Sequence, residues 1–509
     1  MRTFLMASML AIVTAIPVAY AQKAKDTLRI GFYQPVRLVD YFFEPGPEAT
    51  LAARMVFDTL VNYDPDKREF TSGIAKSWKR IDDRTIEFEI RDDVKFHDGE
   101  PLDVDDVLYS FNFMVDPKVN YRFKESRISW IDKFEKVGKS AFRVRSKEPM
   151  AVLIARMNNF PPIYPQHIHA KLEQKNSFGL HAIGTGPMRV VEFDSATGMT
   201  LVKNPDYKGN SGKPAVQIGR ARIDAVPDHQ TQVARMLRGE QDLMYNVDKD
   251  QAESFAGNPD FKVDVKDAVS FNYVMFDAKA RSGAKMFADK NVRLALEHAI
   301  NRKQLRKLLH EAVADQEPLD AVCHPKILHC AWSKKPPAFD PAKAKKMLAD
   351  AGYPNGFDVE ILTWGEARDT AEAVAGMWRE IGVNASVNAL TFGAFVKTRS
   401  AGVPVIVTLW DNSVGQPDID NTAEYFFLPN ARNYNKDPEL EKLALAGRRE
   451  LDPDKRTEIY RRMFDRATEE AYLMPLQRIP AVIVHRKEVR LLGGTTHPKG
   501  FEINHVAWN

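Results

Sequence analysis

Cysteine is almost missing from this chain: 509 residues hold two, Cys323 and Cys330. A disulfide framework therefore does not hold the fold together. The two sit in Cys-His-Pro-Lys-Ile-Leu-His-Cys, with six residues between them. Zinc pairs usually leave about two to four, so the flanking His324 and His329 are weak grounds for a metal. An oxidising compartment would close a local Cys323–Cys330 bridge, and two free thiols are the alternative. An excess of one charge is also missing. Lys and Arg number 72 against 69 Asp and Glu, a net +3, which excludes a broad attraction to nucleic acid or anionic lipid. Beyond the N-terminus no apolar run reaches the ~18 residues of a membrane helix. Repeats of 20–50 residues and long low-complexity linkers are lacking too.

Catalytic signatures are equally scarce. No Gly-x-Ser-x-Gly elbow occurs, and His310-Glu311 lacks the second His of a helical zinc-protease motif. Ser282-Gly283-Ala284-Lys285 matches Ser-x-x-Lys, but Lys397-Thr398-Arg399 breaks the Lys-Thr-Gly partner. Gly212-Lys213-Pro214 fails the phosphate-loop pattern. The expectation is a protein that is not an enzyme, with no metal and no cofactor.

What is present begins at the N-terminus. Arg2 precedes an uncharged apolar run from Phe4 to Val18, followed by Ala19-Tyr20-Ala21. This reads as a secretory signal peptide over residues 1–21, cut after Ala21, and predicts export to the periplasm. Further on, IRDDVKFHDGEPLDVDDVLYSF spans Ile90–Phe111 and crowds His97, Asp98, Glu100, Asp103, Asp105 and Asp106 together. Local chemistry explains these acids without a ligand. Thr85–Ile90 alternates as a half-buried strand. Asp98-Gly99 is a turn pair. Asp103 stands where an N-cap belongs, with Asp106 three residues on, like a capping box. Asp340-Pro341 and Asp452-Pro453 predict two more helix starts. Leu294, Ala295, His298, Leu305 and Leu308 predict an apolar stripe on one helix. Strand-like runs at Ala268–Phe276, Phe357–Leu362 and Val403–Trp410 alternate with helical ones, which gives an α/β (α+β) architecture.

The stretch GIAKSWKRIDDRTIEFEIRDDVKFHDGEPLDVDDVLYSFNFM strongly resembles the family 5 solute-binding proteins, the oligopeptide and dipeptide binders of bacterial ABC importers. Ala75, Ser77, Trp78, Lys95, Phe96, Asp98 and Gly99 carry its signature. Collinear pieces follow: GTGPM at Gly184–Met188, NPDY at Asn204–Tyr207, LRGEQDLMYN at Leu237–Asn246, VRLALEHAINRKQL at Val292–Leu305, DPAKAKKMLADAGYPNGF at Asp340–Phe357, and DPDKRTEIYRRMFDRATEEAYLMPL at Asp452–Leu476. The resemblance implies a two-lobed periplasmic binding protein fold with a hinge and three discontinuous subdomains. Residues 22–66, 184–275 and 478–509 would form the first, 67–183 an inserted second, and 276–477 a third in the opposite lobe. It implies capture of a small solute, a peptide first, and delivery to an inner-membrane ABC permease with its ATPase. A monomer without nucleic acid is expected. An opine, saccharide, nickel complex or haem is the alternative cargo.

The ligand segment implied is VTLWDNSVGQPDID, Val407–Asp420. The family shows Gly-Trp-x-x-Asp with Pro four residues on, and its Asp meets a peptide's α-ammonium. Trp410 and Pro417 keep the spacing, Leu409 replaces the Gly, and Ser413 stands at the Asp position. Trp410 either faces ligand or packs in the core. Asp411 or Asp418 either replaces the lost carboxylate or serves a turn.

Overall fold

The structure is a computed structural model that describes residues 26–44, 46–64, 67–121, 124–158, 162–209, 213–309, 317–411, 417–493 and 502–509. The signal-peptide expectation lies outside them. The backbone is organised by one ten-stranded mixed sheet. Its spatial order is Asn384–Leu390, Asp358–Trp364, Val405–Asp411, Phe261–Phe276, Leu473–Arg486, Leu243–Tyr245, Thr27–Phe32, Arg220–Ala225, Gly198–Lys203, Met188–Asp194. Two strands, Phe261–Phe276 and Leu473–Arg486, are far longer than the rest and run antiparallel through the middle. Their outer ends pair with different halves of the sheet: Ser270–Phe276 joins Val405–Asp411, whereas Ile483–His485 joins Leu243–Tyr245. The chain thus passes from one lobe to the other in the first long strand and returns in the second.

The ladder between these two strands breaks at the crossing. Lys266 pairs with Ala481 and Ser270 with Ile479, so residues 267–269 oppose Pro480 alone. Proline has no N–H to give a ladder, so pairing is interrupted and the strands bend there. The long strands pass between the two halves of the sheet at this break.

Each lobe has its own core. In the second lobe the long strand alternates. Phe271, Tyr273 and Met275 join Ile406 in one cluster, while Val274 and Phe276 join Val405, Val407 and Trp378 on the other face. In the first lobe, Leu28, Ile30 and Phe32 anchor the cluster beneath helix Pro47–Val56. A separate four-stranded antiparallel sheet, Ala75–Arg80, Thr85–Ile90, Ala141–Ser146 and Ile131–Val137, packs Phe88 and Phe142 against Phe111 of helix Val104–Val115.

That helix begins as the sequence predicts. Asp103 Oδ1 accepts from Asp105 N (2.8 Å) and Asp106 N (3.2 Å), and Asp106 Oδ2 accepts from Asp103 N (3.1 Å). His97, just upstream, serves packing between two motif pieces. Its Nε2–H donates to Gly186 O (3.0 Å), and its Nδ1 accepts from Gly184 N–H (3.3 Å). One neutral tautomer satisfies both bonds, and burial pushes the imidazole pKa down to about 4. The glycines are needed because a Cβ at Gly184 would lie 2.1 Å from Val56 O, and one at Gly186 2.5 Å from Val56 C. The helices after Asp340 and Asp452 also form, as Pro341–Asp350 and Pro453–Glu469.

One expectation is corrected. The stripe from Leu294 to Leu308 does not lie on one helix. Lys290–His298 ends, and Arg302–Leu309 starts anew where Asn301 Oδ1 accepts from Gln304 N (3.0 Å). Leu308 is 61% exposed. The capping side chain, competing with the backbone ladder, outweighs the apolar spacing.

Candidate functional site: the cleft at the strand ends

In the second lobe, Asp358–Trp364 runs parallel to both Asn384–Leu390 and Val405–Asp411. Their carboxyl ends therefore open on one edge. In the first lobe, Thr27–Phe32 and Arg220–Ala225 are parallel and also end together. Open α/β sheets bind ligands outside the carboxyl ends of their strands. Tyr33 is the residue after the first strand. Its hydroxyl donates to Tyr245 O (2.6 Å). Burial, then the Asp248, Glu48 and Glu366 carboxylates, push that hydroxyl well above its ordinary range. Glu366 lies two residues past Trp364, in the other lobe, and is near enough to act on the Tyr33 hydroxyl.

Trp410 sits at the end of its strand, half-buried. Its ring packs on Tyr425 at 4.1 Å between centroids and on Phe426 at 5.5 Å, and its Nε1–H donates to Thr422 Oγ1 (3.1 Å). Trp364 on the neighbouring strand donates to Thr408 Oγ1 (3.0 Å) and meets Phe392, which is 45% exposed. Two arginines converge on Tyr425. Arg432 stacks over its ring at 4.4 Å, and Arg399 donates to its hydroxyl while lying 5.5 Å from the ring centroid. Arg399 is 7% exposed. Among the described residues, neither arginine forms an ion pair with a carboxylate. Burial first, and Arg399 with it, lowers the pKa of Arg432 against the pull of Tyr425 and Glu424. Guanidinium groups without an ion-paired acid beside an aromatic wall have the chemistry to receive a carboxylate.

The sequence-predicted residues fall out differently from one another. Asp411 is the last strand residue, paired with Ser270, and its side chain lies outside what is described. Ser413 lies outside the described residues. Asp418 is placed otherwise than expected. It is 3% exposed, and its two oxygens accept from Arg456 Nη1 (2.7 Å) and Nη2 (2.6 Å). Its carboxylate is committed to that guanidinium, so it does not stand in for the missing family acid. Cys323 and Cys330 are joined by a disulfide, Cα–Cα 5.8 Å. The loop they close offers Lys326 O to Tyr63 Oη (3.1 Å) and Ile327 O to Arg68 Nη2 (3.3 Å), both from the first lobe. Sequence reasoning missed Arg399 and Arg432. Their only sequence signal is charge on either side of an aromatic run.

The family model described as bacterial extracellular solute-binding proteins, family 5, middle region, matches residues 69–433. The chain belongs to this family. Members of the family are solute-binding components of ABC importers and act by binding. A glutathione-binding protein, GsiB of Shigella dysenteriae serotype 1, is 24% identical over 503 residues, with 94% of each chain covered. The periplasmic binding protein DppA of Helicobacter pylori, solved with the peptide STSA, superposes with a TM-score of 0.79 at 22% identity, covering 95% of this chain and 98% of that one. A dipeptide-binding protein of Pseudoalteromonas sp. SM9913, solved with Met-Leu, gives 0.79 at 22%, covering 95% and 100%. These likenesses establish the two-lobed fold. Among the described residues no helix is long and apolar enough to cross a membrane.

Proposed function

We propose that this chain is a periplasmic receptor that closes on a peptide-like solute bearing a free carboxylate and hands it to an inner-membrane ABC permease. The arginine pair carries this reading. Arg399 and Arg432 bring two positive charges to the Trp410–Tyr425 wall with no ion-paired acid among the described residues, Glu424 acting on Arg432 from farther off, and a ligand carboxylate would supply a direct partner. Relatives named for glutathione, and neighbours solved with STSA and Met-Leu, support a peptide as that ligand. Trp410, Asp411 and Ser413 would line the same pocket, with Asp411 meeting an amino group. Main-chain hydrogen bonds would add affinity with tolerance for side chains. The receptor works as a monomer and catalyses nothing, and its three subdomains are residues 22–66 with 184–275 and 478–509, residues 67–183, and residues 276–477. Closure needs only that bound solute contact both lobes.

The test is mass spectrometry of small molecules released by denaturing protein purified from its native periplasm. The reading expects a peptide or peptide-like acid in near-stoichiometric amount. Recovery of a haem, saccharide or nickel complex instead would replace it with the other cargo reading.

A further inference from the structure

Residues 148–156 carry the inserted sheet domain's contacts to helix Asp420–Phe427 of the far lobe. Arg80 fixes that stretch to its own domain by donating to Met150 O (3.2 Å) and Ala151 O (3.0 Å). Ala151 N then donates across the cleft to Arg448 O (2.8 Å). One turn on, helix Leu153–Met157 presents Arg156, whose side chain is 4% exposed. Its Nη2 donates to Asp420 Oδ2 (2.9 Å) and Glu424 Oε2 (2.5 Å). Both acids belong to the second lobe and lie four residues apart on helix Asp420–Phe427, hence on one face.

The second lobe prepares this place but gives its two carboxylates one directly paired guanidinium, with Arg432 and Arg456 acting on them from farther off. Arg448 donates to Asp420 Oδ1 (2.8 Å) and Oδ2 (3.1 Å) and to Glu424 Oε2 (2.7 Å). Tyr460 lies at 3.4 Å from Asp420 Oδ1. Within that lobe two carboxylates share one guanidinium, and Asp420 is fully buried. Arg156, from the other lobe, supplies the second directly paired one. When the lobes part, the pairing is lost and both sides return to water.

We propose that Arg156 is a closure latch: a charge from the inserted domain that completes a buried four-membered ion network only in the closed form. It biases the closed population whether or not solute is present. This rests on the receptor reading for the claim that the lobes open. A ligand shifts a two-state equilibrium from wherever the protein alone has set it, so the latch also sets how much binding free energy closure consumes. Solute affinity is thereby tuned by a residue pair that the pocket residues do not include.

The experiment is single-molecule energy transfer on ligand-free protein, with dyes on Lys139→Cys in the inserted domain and Lys345→Cys in the far lobe, both exposed positions. The wild-type protein should sample two distances. Arg156→Met should move their ratio toward the open form by about tenfold or more, the scale on which a broken buried pair acts. Arg156→Lys should move it less. Glu424→Gln, altered from the other lobe, should move it the same way, and it serves if the Arg156 variants fail to fold by circular dichroism. Two wild-type distances with an unchanged ratio in the folded variants would overturn the latch alone. One wild-type distance, unaltered by reduced glutathione or the tetrapeptide Ser-Thr-Ser-Ala, would overturn the two-state receptor reading beneath it.

Discussion

Asp418 and Asp420 stand two residues apart, both buried, both bound to arginine, and they do different jobs. Asp418 meets Arg456, which belongs to the same lobe, so nothing the lobes do can separate them. Asp420, with Glu424, meets Arg448 of its own lobe and Arg156 of the other, so part of its pairing exists only when the cleft is shut. Arg399 and Arg432 extend the comparison, because their acid would come from the solute. Chemically the three cases are alike. Where the acid resides decides whether the pair supports the fold, the closed state or the ligand.

The largest effect should come from the pair that never opens. Asp418→Asn leaves Arg456 buried without its acid, which costs about 3–5 kcal/mol. Thermal unfolding should show that loss, while solute affinity of the folded protein stays within about twofold of wild type. A loss of affinity with unchanged stability would erase the distinction between the two aspartates.

Glu297 is the reverse case, an acid that no arginine reaches. It is 1% exposed, neither carboxyl oxygen has a hydrogen-bond partner, and Arg302 and Arg293 act on it only from a distance. Burial, opposed by those two arginines, pushes its pKa up to about 8. The folded state then holds a proton that the unfolded chain releases at about 4.3. Stability falls as pH rises between those two values and is level above. Glu297→Gln should therefore gain stability over wild type when denaturant unfolding at pH 8 is compared with pH 5, by a few kcal/mol at most. Parallel pH profiles for the two proteins would show that the carboxyl is not held neutral.

The disulfide should matter at an intermediate scale. Its loop is short, so replacing Cys323 and Cys330 by Ser should cost about 2 kcal/mol of unfolding free energy. It should also loosen the Lys326 and Ile327 carbonyls that face Tyr63 and Arg68. Chemical denaturation checks the first, and non-reducing peptide mapping of periplasmic protein checks that the bridge forms. Smallest of all is Arg449→Ala. Arg449 meets Glu148 across the same cleft, but the two side chains are 49% and 64% exposed. Solvent screens such a pair, so the variant should shift stability and closure by less than about 0.5 kcal/mol.

Much of this was legible in the sequence because the cues were local. The Asp103–Asp106 capping box, the strand at Thr85–Ile90 and the proline-led helices at Pro341 and Pro453 each rest on residues within a few positions of one another. Pairings distant in the chain were not legible. Arg456 lies 38 residues from Asp418, and Arg156 lies 264 from Asp420. Turn-rich surroundings made Asp418 look available, and only the fold brings its arginine to it. The single-helix stripe expected from Leu294 to Leu308 failed for another reason. Its apolar spacing continues through Asn301, but the cap there outweighs the periodicity.

The most direct measurement is calorimetric titration of protein stripped of bound solute by unfolding and refolding. Reduced glutathione, Ser-Thr-Ser-Ala and Met-Leu would be compared, with the tetrapeptide also as its C-terminal amide. Saturable one-to-one binding of at least one free acid is expected. Arg432→Ala should weaken it about tenfold, as loss of a charge-assisted contact does, and should weaken the amide much less. No heat with any of the three, or an equal loss for acid and amide, would contradict the carboxylate-binding reading.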